Sequence, residues 1–169
     1  MDASTLQPQI TTQHTLLDAP NPYAPSFIFH LTRLTSTLFV WVGTAATSSG
    51  QGFGENGMGA AGGLGMEEEG AQGLGGERKL AADWGVAMPS RGSMPVVATP
   101  VFRSGAVDLA VPMAQRLARK FPSNQIHLSL SLPPNLTATS GPSLDPLAGR
   151  TLLVMEKELG KWLERVTAE

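Results

Sequence analysis

No cysteine occurs among the 169 residues, so a disulfide framework, a thiolate zinc site and a cysteine nucleophile are excluded together. The expected setting is a reducing compartment, the cytoplasm, with the nucleus as the alternative. Charge is sparse too. Charged residues make up 15% of the chain and the net charge is −2, too little positive charge to gather a phosphate backbone, so nucleic acid is not an expected partner. Long apolar runs are also missing. The longest, Leu38 to Val42, falls far short of the roughly 18 to 20 residues that span a bilayer, so no membrane partner is expected. The first residues, MDASTLQPQITTQHTLLD, open on an acid and contain no apolar h-region, so no secretory leader is expected either.

The chain does have a hydrophobic content of 41% at the length of one ordinary domain, enough to bury a core, and a single domain over residues 1–169 is expected. Glycine is unevenly placed: 12 of the 19 lie between Gly50 and Gly76. Ordering each glycine costs roughly 0.5 to 1 kcal/mol more than ordering alanine, and Leu64 and Leu74 return little apolar area, so residues 44–79 are expected to form a disordered insertion. A second stretch, 133–149, is rich in Pro, Ser, Thr and Gly and is expected to be a flexible exposed loop.

Between these stretches the apolar period alternates between two and about 3.6. Ser26 to Leu34 sets Phe27, Phe29 and Leu31 on one face and Ile28 and His30 on the other, a strand pattern. Thr37 to Gly43 is apolar on both faces, with Leu38, Val40 and Val42 opposite Phe39 and Trp41. It is therefore expected to be a central strand covered on both sides. The short link at Thr35 and Ser36 makes the pair an antiparallel hairpin, and Ile10 to Leu17 is assigned an added edge strand. Trp84 to Met88 and Val96 to Phe102, bounded by Pro89, Gly92 and Pro95, complete the sheet.

Val107 to Phe121 changes period, with Leu109, Met113, Leu117 and Phe121 recurring every four residues, which predicts an amphipathic helix. Pro112 belongs in its first turn, where the missing N–H is harmless, and Pro122 ends it. Gln125 to Leu132 alternates strictly and reads as a strand. Thr151 to Val166 sets Leu152, Met155, Leu159, Trp162, Leu163 and Val166 on one helical stripe that should pack on the sheet.

The chemical motifs are weak. Gly52, Gly54 and Gly57, and again Gly57, Gly59 and Gly62, satisfy the dinucleotide pattern G-x-G-x-x-G, but no helical periodicity follows to supply the N-terminus that holds a pyrophosphate. Such overlapping matches arise by chance in a glycine-dense tract. His14, His30 and His127 fall in predicted strands without ligand spacing and are read as polar-face residues. Glu67, Glu68 and Glu69 sit in the glycine tract, where nothing fixes their separation, and are read as a solvated run. Asn135-Leu136-Thr137 matches a glycosylation sequon that a chain without a leader does not expose to the transferase. No catalytic residue, cofactor or metal is expected. Arg116, Arg119 and Lys120 form a basic cluster on the first helix that faces either an acidic partner or solvent.

The segment Phe29 to Gly43, FHLTRLTSTLFVWVG, resembles the signature hairpin of the proteasome assembly chaperone 4 family, which reads much like F-H-x-x-R-L-T-x-S-L-F-x-W-V-G. Gly85 to Arg91, GVAMPSR, resembles the strand that follows in that family, and Ala114 to Lys120, AQRLARK, resembles its helix, in the same order. The resemblance implies an α+β fold: an antiparallel sheet or β-sandwich-like core with two packed helices. It further implies pairing with proteasome assembly chaperone 3 into a heterodimer that binds α-type proteasome subunits, notably the α5 subunit. Such a dimer promotes assembly of the 20S α-ring and leaves as β subunits are incorporated, a role without catalysis. Arg33, Arg116, Arg119 and Lys120 are the candidate partner contacts. The glycine-rich insertion and the 133–149 loop lengthen this chain relative to compact relatives. A scaffold or adaptor of similar fold, or an enzyme binding nucleotide at the glycine tract, are the alternatives.

Overall fold

The structure, a computed structural model, describes residues 10–22, 24–45, 80–90, 93–104, 108–137 and 146–168. These form six strands, β1 (Thr11–Leu17), β2 (Phe27–Leu34), β3 (Thr37–Thr44), β4 (Asp83–Met88), β5 (Val97–Arg103) and β6 (Gln125–Ser131). Three helices accompany them, α1 (Ala110–Lys120), α2 (Pro134–Thr137) and α3 (Ala148–Ala168). The strands make one sheet in the order β1-β2-β3-β6-β4-β5.

The β2–β3 hairpin turns at Thr35 and Ser36 between the paired residues Leu34 and Thr37. Ser36 takes a φ of 54°, the left-handed conformation that lets so short a link reverse the chain. The α+β class is as expected from the sequence. The sheet, however, is mixed and single, where a wholly antiparallel or sandwich-like arrangement was expected. β3 and β6 pair in parallel, Thr37 against Gln125 through Gly43 against Ser131. The cause is α1. It returns the chain along the sheet after β5, so β6 enters running in the direction of β3 and slots between β3 and β4, pairing antiparallel with the latter.

Alternation then decides what is covered. Phe27, Phe29 and Leu31 of β2, Leu38, Val40 and Val42 of β3, and Ile126, Leu128 and Leu130 of β6 are all buried on one face. Met113, Ala114 and Leu117 of α1 and Met155, Leu159, Trp162 and Leu163 of α3 close over them. Trp162 packs on Phe29 with ring centroids 5.9 Å apart. Gly85 sits where α1 approaches most closely: a Cβ there would lie 3.0 Å from the backbone of Ala110 and Val111. Asp83, two positions before it on the same face, accepts the backbone N–H groups of Leu109 and Ala110 through one carboxylate oxygen, Oδ2, at 2.7 Å each. Leu109 occupies the N-cap position and has no side-chain acceptor of its own, so the cap is supplied from the sheet.

The two expected loops fare differently. The stretch 44–79 lies outside the described residues except for Thr44, which closes β3, and Ala45. The stretch 133–149 is not wholly loop, because Pro134–Thr137 forms α2 and α3 begins at Ala148. Pro134 opens α2 at a position that needs no N–H, and Leu136 is buried beneath it.

Candidate interaction surface

The second face of the sheet has no helix over it among the described residues. Its side chains follow from the same alternation: His14 and Leu16 from β1, Ile28, His30 and Thr32 from β2, Phe39 and Trp41 from β3, His127 and Ser129 from β6, and Trp84 and Val86 from β4. Both faces of β3 are apolar, and one of them lacks the cover expected from the sequence.

Its centre is aromatic. Phe39 meets Trp84 edge to face with centroids 5.4 Å apart and stacks on His127 at 5.6 Å, while Trp84 and His127 lie 6.4 Å apart. Trp41 lies over Gly43, two residues along the strand, and a Cβ at Gly43 would run into its ring. The Trp41 indole N–H donates to the carbonyl of Leu80 at 2.8 Å, and the Ser129 hydroxyl donates to the same carbonyl at 3.1 Å. Leu80 and Ala81 thereby form one wall of a trough of about 570 Å³ over β1, β2 and β3. Leu80 itself is 82% exposed.

The face is short of polar partners. The indole N–H of Trp84 and Nδ1 of His127 are buried with no hydrogen-bond partner among the described residues. Burial lowers the His127 pKa from its ordinary value of 6.5, because desolvation penalises the charged imidazolium. His14 stands directly across from His30 on the neighbouring strand, and Nε2 of His30 lies 3.3 Å from the Thr32 hydroxyl. Among the described residues no group of three or more His, Asp or Glu side chains could hold a metal ion. The surface is suited to burial under another apolar surface.

The basic residues singled out from the sequence lie elsewhere and divide into two kinds. Arg116 grips Glu156 of α3 with both arms, Nε to Oε1 at 2.6 Å and Nη2 to Oε2 at 2.7 Å, and its pKa is raised by that hydrogen bonding. Lys120 crosses α3 at Gly160 and reaches Glu164 at 3.0 Å. Both tie α1 to α3. Arg119 is exposed between them. Arg33 is exposed near the end of β2, in register with Leu38 and Thr11. α1 ends at Lys120 and leads into β6, whose first residue pairs with Thr37. Arg33, Arg119 and Lys120 therefore share one end of the molecule. The motifs within 46–79, namely the glycine pattern and the three glutamates, lie outside the described residues. The sequon forms α2, where the Thr137 hydroxyl donates to the Pro133 carbonyl at 3.4 Å.

Phe39, Trp41 and Trp84 read from the sequence as strand residues, because aromatic residues in strands are ordinarily core. The available signal was that β3 carries large apolar side chains on both faces, while the sequence offers two long helices for cover.

No curated protein matches the sequence. A chain in the crystal structure of a novel chaperone complex for yeast 20S proteasome assembly is similar at 13% identity, over 92% of this chain and 96% of that one, with a TM-score of 0.45. The family model for proteasome assembly chaperone 4 matches residues 26–132. That span runs from β2 through β6 and includes Phe39, Trp41, Trp84 and His127. It covers more than half of the 169 residues, and the chain therefore belongs to the proteasome assembly chaperone 4 family.

Proposed function

We propose that this chain is one half of a non-catalytic chaperone heterodimer, docking its open sheet face on proteasome assembly chaperone 3 and binding α-type subunits, notably the α5 subunit. In this reading the pair orders the subunits of the 20S α-ring in the cytoplasm or nucleus and leaves as β subunits are incorporated. The observation that carries the proposal is the uncovered aromatic face, centred on Phe39, Trp41 and Trp84. Sheets stack face to face about 10 Å apart when their inner faces are apolar. A second sheet laid over this face supplies the cover that β3 lacks, and among the described residues the β2, β3, β4 and β6 strands bring no Asp, Glu, Lys or Arg to it that such stacking would strand. The fitting occupant is thus another sheet of similar kind, which a sister chaperone offers.

The α subunit is assigned to a different place. Arg33 and Arg119 present positive charge outside the lining of the trough, while Lys120 and Arg116, singled out with them, are paired with Glu164 and Glu156. Polar contacts of this sort suit a partner that must later be displaced.

Native mass spectrometry of the chain mixed with proteasome assembly chaperone 3 and the α5 subunit tests both assignments. Phe39→Glu places a carboxylate in the middle of the stack and should abolish the heterodimer. Arg33→Glu with Arg119→Glu should leave the heterodimer intact and reduce capture of the α5 subunit. A homodimer of this chain that Phe39→Glu disrupts would give the face to a second copy instead. A heterodimer that survives Phe39→Glu would overturn the assignment of the face.

A further inference from the structure

All three histidines of the chain occupy the open sheet face. His14 and His30 are cross-strand neighbours lining the trough, and His127, outside its lining, stacks on the trough residue Phe39. The strands around them bring no other titratable group to this face. Arg33 is in register with Leu38, Asp83 with Leu130, and Arg103 with Asp83, all positions of the helix-covered side. Arg103 is held there by Asp108. Asp18 is exposed one position beyond the last paired residue of β1, on the side that alternation shares with His14 and Leu16. Within the paired strands the face changes charge through its imidazoles. There it is neutral when they are neutral and carries up to three positive charges when they are protonated, with Asp18 at the end of β1 as the carboxylate that alternation sets on the same side among the described residues.

We propose that docking on this face is proton-linked: a partner sheet is held while His14, His30 and His127 are neutral and is released as they acquire charge. The inference rests on the docking reading above and adds its regulation. An apolar sheet laid over the face offers no carboxylate to an imidazolium, so only the neutral form can be buried without an unpaired charge. His127 shows the constraint already in the free chain, since a proton on its buried Nδ1 finds no acceptor among the described residues. Each histidine that must shed a proton on docking weakens association by up to about tenfold per pH unit below its own titration. The sign is fixed. Affinity falls as the pH drops and the face gains charge.

The test is the dissociation constant of the full chain for proteasome assembly chaperone 3, measured by sedimentation at constant ionic strength at about pH 7.5 and about pH 5.5, a span that brackets the ordinary imidazole range. The wild-type chain should weaken by at least about tenfold across that span. His14→Gln with His30→Gln, and separately all three His→Gln changes, should lose most of the pH dependence, read as the ratio of each variant's own dissociation constants at the two pH values. The double variant leaves the stacked His127 in place, so it reports even if the triple variant folds poorly. Tight binding with no pH dependence, or a pH dependence unchanged in the double and triple variants, overturns the proton linkage alone. Absence of binding at the higher pH, or binding indifferent to Phe39→Glu, overturns the docking reading and the linkage with it.

Discussion

Replacing Asp83 by alanine removes both hydrogen bonds that close the first turn of α1, and the cost can be worked from their surroundings. Oδ2 accepts the N–H groups of Leu109 and Ala110 at 2.7 Å each. Ala110 is fully buried, so its amide has no water to turn to, whereas Leu109 is half-buried and recovers part of its loss. A hydrogen bond to a charged group is worth roughly 1.5 to 3 kcal/mol net, and loss of a cap costs roughly 0.5 to 2. Against this, the variant no longer buries Oδ1, which has no partner among the described residues. The balance is a loss of about 2 to 3 kcal/mol. With a urea slope of roughly 1 to 3 kcal/mol per molar, the unfolding midpoint should fall by about 0.7 to 3 M. Asp83→Asn keeps an oxygen for the two amides but gives up the charge at the helix N-terminus, so it should lose only about 1 kcal/mol. Urea titrations followed by far-ultraviolet circular dichroism measure both. Asp83→Ala within about 0.5 kcal/mol of wild type, or Asp83→Asn more damaging than Asp83→Ala, would refute the reasoning.

Gly85→Ala puts a Cβ 3.0 Å from the α1 backbone and should cost about 1 to 3 kcal/mol, with Gly85→Val worse, as seen in thermal unfolding. Arg116→Ala breaks an ion pair whose arginine side chain is 51% exposed, so stability should fall by less than about 1 kcal/mol in the same titration, despite the two-armed geometry. For His127 the sign runs as follows. Its folded pKa lies below the ordinary value of 6.5, so the unfolded chain binds the proton first as the pH falls. Its contribution is full above about 6.5 and is lost below it. The stability difference between wild type and His127→Gln should therefore shift against the wild type between neutral pH and about pH 5.5, and a difference constant with pH would contradict this.

Much of the fold was legible because each element carries its period locally. The β2–β3 hairpin follows from the alternation of Phe27 through Val42, and α1 from the four-residue spacing of Leu109, Met113, Leu117 and Phe121. The parallel insertion of β6 was not legible. Its side-chain alternation is the same whichever neighbour it pairs with, and its direction depends on where α1 returns the chain. The cap of α1 was hidden for a similar reason. Leu109 offers no side-chain acceptor, and Asp83 reaches it from 26 residues earlier in the chain. The basic cluster on α1 was visible as a cluster, but its division could not be seen, because Glu156 and Glu164 face it from another helix. The open face was half visible. Phe39 and Trp41 announced a second apolar side of β3, yet only the arrangement of α1 and α3 on the same side shows that this second side is left over.

The most direct test of the docking face is side-chain footprinting of the free chain and of its complex with proteasome assembly chaperone 3. Oxidative labelling of Phe39, Trp41 and Trp84 should fall on complex formation, while Leu153, exposed on the outer side of α3, should label equally in both states. Unchanged labelling of the three aromatic residues, with protection at Leu153 instead, would contradict it.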